Sequence, residues 1–317
     1  MSIITKKNKL HVKKSSVCGG ATSVFQVYSL AAVGLIALFI FNYIPMGGLI
    51  VAFKNYRYDL GIFGSEWVGL KNFDLLVKSS DFLKITRNTL LFNVIFIITG
   101  TIAQLVLAIL MYEISSRRAT KLYQTIMITP NFLSWVIVGY MAYAMLHPQH
   151  GYVNKFLESM GIDAIDWYSK PSAWYFILPI VNIWKGVGIN SIIYYAALMG
   201  IDETLYEAAD IDGAGKMKRI ISITIPELVS LISIMIILSI GNIFRGDFGL
   251  FYQLTRDSGA LYDATDVIDT YVVRATRNIG DFGVSSAIGF LQSVVGFVLV
   301  MITNYVSKKI DSNNALF

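Results

Sequence analysis

Apolar residues run through this chain in long blocks free of charge, not in the short alternating or one-sided patterns of a soluble domain. No charged side chain occurs between Lys14 and Lys54, and Val24 to Ile44 suffices to cross a hydrocarbon layer of roughly 30 Å at about 1.5 Å per residue. Comparable blocks lie between Arg87 and Glu113, between Lys121 and Leu146, and between Asp281 and Lys308. A further span from Ser172 to Met199 carries Lys185 near its middle, with Gly186 and Gly188 directly behind it. Leu228 to Phe244 is at the short end for a span and is expected to run on through Arg245. The pattern predicts an all-α integral membrane chain of six transmembrane helices. Residues 1–20 form a basic tail, 21–86 the first helix and a long outer loop, 87–307 a core of five helices, and 308–317 a second tail.

Composition narrows the function classes. Of 317 residues 55% are hydrophobic and 15% charged, against about 25% charged in soluble domains, and the mean hydropathy is +0.59. These values exclude a disordered chain, a nucleic-acid-binding domain and most soluble enzymes. The net charge of +5 is then read as cytoplasmic Lys and Arg beside anionic lipid head groups rather than as a nucleic-acid surface. Cys18 is the only cysteine, so the chain alone builds neither a disulfide nor a thiol metal site, and its place ahead of the first span does not suit a lipoprotein cleavage site. Lysines 6, 7, 9, 13 and 14 before an apolar core resemble a signal peptide, but the core is too long and no small-residue site follows, so the segment is expected to stay uncleaved.

Short loops orient the spans. The N-terminal lysines, Arg117, Arg118 and Lys121 in the second loop, and Lys308 and Lys309 at the end all point inward, while the mixed charges of 55–86 are discounted for that loop's length. Both termini are therefore expected in the cytoplasm, with Gly200 to Ile225 as the second internal loop. Tyr43, Trp67, Trp135, Trp167 and Trp174 fall near predicted span ends and suit interfacial belts.

The internal loop carries the most information. It reads IDETLYEAADIDGAGKMKRIISITIPEL from Ile201, which predicts helix, turn, helix. Asp202 can cap the first helix, Glu203 and Glu207 lie near its positive end, and Gly213 can adopt the left-handed conformation that ends it. Lys216, Lys218 and Arg219 follow near the inner leaflet, and Pro226 is expected to restart the chain as the fifth span.

Glu207-Ala208-Ala209, then Asp212-Gly213-Ala214, then Ile223-Thr224-Ile225-Pro226 resemble the EAA motif of permease subunits in binding-protein-dependent ABC importers. Ile225 stands where the usual pattern has Leu. With Asn182-Ile183-Trp184, Tyr194 to Leu198 and the segment FGSEWVGLKNF, the chain is similar to the carbohydrate-uptake branch, nearest to polysaccharide and oligosaccharide permeases. The resemblance covers nearly the whole chain and implies a MetI-like type I importer bundle with a cytoplasmic coupling helix between helices four and five. It further implies docking of that helix on a cytoplasmic ATPase, with Glu207 and Gly213 at the positions most tied to docking. Glu203, Leu205, Tyr206, Ala208, Ala209, Asp212 and Ala214 complete the implied contact. The implied partners are a second homologous permease, two ATPase subunits that bind ATP and Mg, an extracellular solute-binding protein, membrane lipid and a carbohydrate.

The residues agree independently. Small Ala208 and Ala209 allow close approach, Leu205 and Tyr206 offer an apolar anchor, and Glu207 offers a carboxylate to a basic partner. Gly213-Ala214-Gly215-Lys216 hints at a phosphate loop, but no Ser or Thr follows the Lys and the spacing is absent. No catalytic or metal-binding constellation stands out, and His147 and His150 are read as loop histidines. An ionisable group within a span points to function, so Lys185 heads the candidates for the solute path, with Asn182, Trp184, Asn190, Asn242, Arg245 and Gln292. The alternative is that the helix breaks at Gly186 and Gly188 and Lys185 snorkels to water or meets an acid. Asn93 and Gln104 are read as bridges between helices. A self-sufficient secondary carrier is the rival class, but the inverted repeats and paired intramembrane carboxylates it would want are not apparent.

Overall fold

The charge-free blocks fold as helices because, inside hydrocarbon, backbone N–H and C=O groups must be paired within the protein. The computed structural model describes residues 21–78 and 81–310. Cys18, the lysines of the N-terminal tail and residues 311–317 lie outside the described residues. Packing divides the chain into two units, 1–50 and 51–317.

In the first unit, α1 (Ala21–Leu38) passes through a π turn, Phe39–Tyr43, into a short helix, Ile44–Met46. Val33, Leu35 and Phe41 are exposed, the kind of surface a membrane helix presents to lipid or a partner. The expected span, Val24 to Ile44, falls within this stretch, and the apolar helical run reaches Phe53.

The second unit opens with a small hairpin. β1 (Lys54–Asn55) and β2 (Glu66–Trp67) pair antiparallel, with Lys54 opposite Trp67. The buried Lys54 Nζ donates to the carbonyls of Ile62 and Phe63 at 2.8 and 3.1 Å. α2 (Lys71–Lys78) begins with Asn72 beneath it, whose Nδ2 donates to the carbonyls of Ala52 and Lys54. α3 (Phe82–Tyr112) is the second predicted span.

The third span departs from expectation. In place of one helix from Lys121 to Leu146, α4 (Arg117–Ile128), prolonged by a 3₁₀ turn over Thr129–Phe132, meets α5 (Trp135–Leu146) at 95°. Pro130 sits at the start of the 3₁₀ turn, and Ser134 leaves the helical region and caps α5, its Oγ accepting from Ile137 N at 3.3 Å. A proline and a cap four residues apart turn the chain without any charge to mark it.

α6 (Tyr152–Ser159) leads to α7 (Trp174–Leu198), which runs unbroken through Pro179, Lys185, Gly186 and Gly188. After α8 (Glu203–Ile211), the fifth span starts earlier than expected. A helical turn at Lys216–Arg219 and a π turn at Ile220–Thr224 flow into α9 (Ile225–Gly241), giving one run, Lys216–Gly241, that stops short of Arg245. Pro226 therefore does not restart the helix. It has no N–H to give, and the wider π turn, with Ile225 N bonded to Ile220 O, carries the helix past it. α10 (Phe248–Thr255), α11 (Ile268–Arg274) and α12 (Phe282–Ile310) complete the chain. Among the described residues five helices are long and apolar enough to cross a membrane, six if the bent pair forms one span.

The largest core lies where α3, α5, α7 and α10 meet, around Phe92, Val138, Leu178, Phe251 and Leu254. Trp174 is wholly buried there and its Nε1 donates to Trp167 O at 2.8 Å, so it belongs to the core and not to an interfacial belt. A second cluster, Ala108, Tyr194, Leu198 and Leu228, joins the other ends of α3 and α7 to α9. Between them α7 touches the end of α4, where a Cβ on Gly188 would strike the carbonyl of Met127.

Candidate functional site

The internal loop folds as its sequence demands. Asp202 Oδ1 accepts from Thr204 N at 3.0 Å and starts α8. Hydrogen bonds from Thr204, the backbone one first, hold the Asp202 carboxyl below the ordinary carboxylate range. At the other end Gly213 has φ +71. Gly213 N donates to Asp210 O at 3.1 Å and Ala214 N to Ala209 O at 2.9 Å, the paired bonds of a Schellman stop. The second Ala of Glu207-Ala208-Ala209 and the Gly-Ala that follows are thus the two halves of one turn, which explains their fixed spacing.

Polar ties set the orientation of α8. Tyr206 OH and Thr224 Oγ1 lie 3.0 Å apart, joining it to the π turn. Arg219 pairs with Asp210 at 2.5 Å, and Lys216 with Glu113 at the end of α3 at 2.9 Å. Between α8, the end of α3 and the π turn is a cleft of about 290 Å³ whose walls include Glu113, Glu203, Glu207, Asp210 and Arg219. Glu203, Leu205, Glu207, Ala208, Asp212 and Gly213 are exposed, while Tyr206, Ala209 and Ala214 are half-buried. The structure thus brings all nine predicted loop residues onto one helix and its stop. It also adds one. Ile211 is 88% exposed and follows Leu205 and Ala208 at three-residue intervals, an apolar stripe on an acidic helix. That spacing was the signal in the sequence.

The candidates for the solute path separate into groups. Lys185 Nζ donates to Asn131 O at 2.9 Å and lies 5.0 Å from the centre of the Trp135 ring. It thereby holds the bend of the third span, with no break at the glycines. Trp184, its neighbour, faces elsewhere and lines an apolar groove of about 480 Å³ with Met141, Ile177 and Ile180. Successive helix residues diverge by about 100°, so the two side chains leave α7 in different directions. Asn182 and Asn190 are half-buried on α7.

The remaining three candidates meet at the end of α9. Asn242 caps it, its Nδ2 reaching Leu238 O at 3.2 Å. Arg245 reaches Ser293 Oγ at 3.4 Å, and Gln292 Nε2 donates to Phe244 O at 2.7 Å. Asn93 Nδ2 donates to Arg245 O at 3.1 Å, in line with its reading as a bridge. Asp269 accepts from Gly246 N at 2.5 Å and Gln292 Nε2 at 3.4 Å. Burial pushes its carboxyl above the ordinary range despite these bonds. Trp135 Nε1 donates to Asp247 Oδ2 at 2.8 Å, linking the strap that runs from the end of α9 through α10 to Arg256 (residues 242–256) to the bend of the third span.

The chain is similar to known proteins over most of its length. The family model described as binding-protein-dependent transport system inner membrane component matches residues 104–312, the stretch that holds the bent pair, α7, the internal loop and the last two spans. The polygalacturonan/rhamnogalacturonan transport system permease protein YteP of Bacillus subtilis (strain 168) is 34% identical over 284 residues, covering 89% of this chain and 88% of that protein. Protein LplB of the same strain is 34% identical over 285 residues, 90% and 89% of the two chains. The sn-glycerol-3-phosphate transport system permease protein UgpA of Escherichia coli O6:K15:H31 (strain 536 / UPEC) is 28% identical over 279 residues, covering 88% of this chain and 91% of that protein. A chain in the crystal structure of a bacterial ABC transporter involved in the import of the acidic polysaccharide alginate superposes with a TM-score of 0.82 at 31% identity, covering 92% of this chain and 97% of that one.

Proposed function

The chain belongs to the family of inner membrane components of binding-protein-dependent transport systems, and from that premise we propose how it works. It is the multi-pass permease subunit of a sugar importer, with oligosaccharides or polysaccharide fragments as its solutes. A second, homologous permease completes the path, an extracellular binding protein delivers the sugar, and two cytoplasmic ATPase subunits bind ATP and Mg and do the hydrolysis. Both termini and α8 face the cytoplasm.

The observation that carries this reading is α8 itself. A short helix capped by Asp202 and stopped at Gly213 presents Leu205, Ala208 and Ile211 to solvent beside acidic Glu203 and Glu207. An apolar stripe there has no use in a free loop, and acids beside an anionic inner leaflet are repelled unless a protein partner receives them. Tyr206, tied to Thr224, and Arg219, tied to Asp210, pass a displacement of α8 to the root of the fifth span. ATP closes the ATPase dimer, the two coupling helices approach, and the bundles rock from inward-open to outward-open. ATP must bind the outward state better, because a ligand shifts an equilibrium only by its differential affinity.

The test is uptake into vesicles holding the complete complex. Glu207→Ala and Gly213→Val should assemble and still leave ATP turnover uncoupled from sugar import. Normal coupled import in both variants removes the docking role, and import by this chain without any ATPase establishes a secondary carrier instead.

A further inference from the structure

α5 presents two different grooves. Met141, Ala142 and Met145 look into the apolar groove that also holds Trp184, a surface suited to lipid or a packed partner. Val136, Gly139 and Tyr140, one helical turn apart, line a second groove whose opposite wall is Tyr252, Gln253 and Arg256 from the end of α10. The second groove is polar, and polar side chains within a bundle belong on a path or cavity rather than against lipid.

Its chemistry is directional. Gly139 lets α5 and α10 approach until an added Cβ would lie 2.7 Å from Gln253 O. The exposed Arg256 stacks its guanidinium 4.0 Å over the Tyr143 ring. Among the described residues no carboxylate forms an ion pair with it. Stacking fixes the plane of the guanidinium and leaves its N–H edge open for a planar anion. The backbone adds a second sign. Arg256 and Asp257, with φ of 56 and 51, are the only non-glycine residues at positive φ among those described, a costly conformation that persists only where its surroundings enforce it. Here Asp257 is pinned by Arg274 at 3.1 Å and by Tyr262 OH at 3.0 Å, while Arg274 also grips the buried Asp266. The anchored Asp257 holds the turn that presents Arg256.

We propose that this groove binds a carboxylate-bearing sugar residue of the transported oligosaccharide, with Arg256 on the carboxylate, Gln253 on hydroxyls and Tyr140 and Tyr252 against the ring. The proposal rests on the sugar-importer reading above and narrows it to acidic sugars. Tyr140 is 67% exposed, so it is free to meet a ring. The groove, about 180 Å³, is smaller than the roughly 300 Å³ of the smallest complete ligand pockets, so it holds one residue of a chain. One similar protein is named for transport of polygalacturonan/rhamnogalacturonan, and one similar solved structure is described as an importer of the acidic polysaccharide alginate.

The experiment uses the complete permease and ATPase complex in phosphatidylcholine nanodiscs without ATP, titrated with trigalacturonate and with its carboxyl-reduced neutral analogue. Import of both sugars by the same complex, with its binding protein, is followed in vesicles. The wild type should bind the charged sugar more tightly. Arg256→Gln should lose at least tenfold for trigalacturonate and nothing for the neutral form, Arg256→Lys should fall between, and Tyr252→Ala should weaken both. Unchanged trigalacturonate binding in Arg256→Gln, alongside normal import, overturns the site and leaves the sugar importer standing. Equal loss for both sugars assigns Arg256 to packing and also overturns it. Displacement of trigalacturonate by added phosphatidylglycerol would show a lipid head group to be the occupant. Import of neither sugar by the wild type, with import of a different oligosaccharide, overturns the acidic-sugar site and leaves the importer standing; failure to import any of a panel of oligosaccharides defeats the importer reading itself.

Discussion

At the scale of single residues, close approach explains choices that composition does not. Gly186 and Gly188 sit two positions apart on α7, and both would gain helix propensity as alanine, about 1 kcal/mol each. Their surroundings differ. A Cβ on Gly186 would meet only Asn190 Nδ2 at 3.8 Å, whereas on Gly188 it would collide with the backbone of Met127. Gly186→Ala should therefore stabilise the protein by about 0.5–1 kcal/mol, and Gly188→Ala should destabilise it by about 2 kcal/mol. Thermal unfolding of the two variants in one detergent decides, and equal shifts would mean that α7 and α4 do not meet as described. The sequence displayed both glycines as possible breaks, because a glycine that admits a neighbour and a glycine that bends a helix are written alike. Asp202 and Gly213 were legible for the opposite reason. A cap and a left-handed stop depend on bonds within a few residues, and those residues were in view.

At the scale of elements, the spans were legible because hydrocarbon tolerates so few charges, and their interruptions were not. The bend of the third span lies inside a charge-free block, so hydropathy passes over it. Pro130 and Ser134 were its only local marks, and such marks also occur in continuous helices. Lys185 was read as a possible solute contact because a charge within a span is costly. The structure gives that charge a use at the bend, where its Nζ meets the carbonyl of Asn131 and the face of Trp135. Lys185→Met leaves that carbonyl unpaired and should cost about 1–3 kcal/mol, with Lys185→Arg keeping most of the stability. The measurement is again thermal unfolding. If Lys185→Met is neutral to stability yet import fails, the lysine serves the solute and not the bend. Trp135 also bonds Asp247, so the bend and the strap that ends in Arg256 form one connected construction.

At the scale of the whole molecule, coupling needs the strap and the internal loop on opposite faces of the membrane. α7 and α9 flank the internal loop, and the strap begins where α9 ends. A run of 26 residues from Lys216 to Gly241 spans about 39 Å at about 1.5 Å per residue, more than the roughly 30 Å of hydrocarbon. Which face is internal rests on the positive charges of the short loops and tails, and that assignment can be probed directly. In a Cys18→Ser background, Ile211→Cys and Gly259→Cys place single thiols at exposed positions of α8 and of the 3₁₀ turn that follows Arg256. A membrane-impermeant maleimide added to intact cells should label position 259 and spare position 211. In inverted vesicles stripped of ATPase subunits, position 211 should react, and adding the ATPase back should protect it. Labelling of position 211 from outside would invert the molecule and leave α8 with no nucleotide-driven partner. Reaction unaffected by the ATPase would leave the orientation intact but the apolar stripe Leu205, Ala208 and Ile211 uncovered, and the force that opens the path would then have to enter elsewhere.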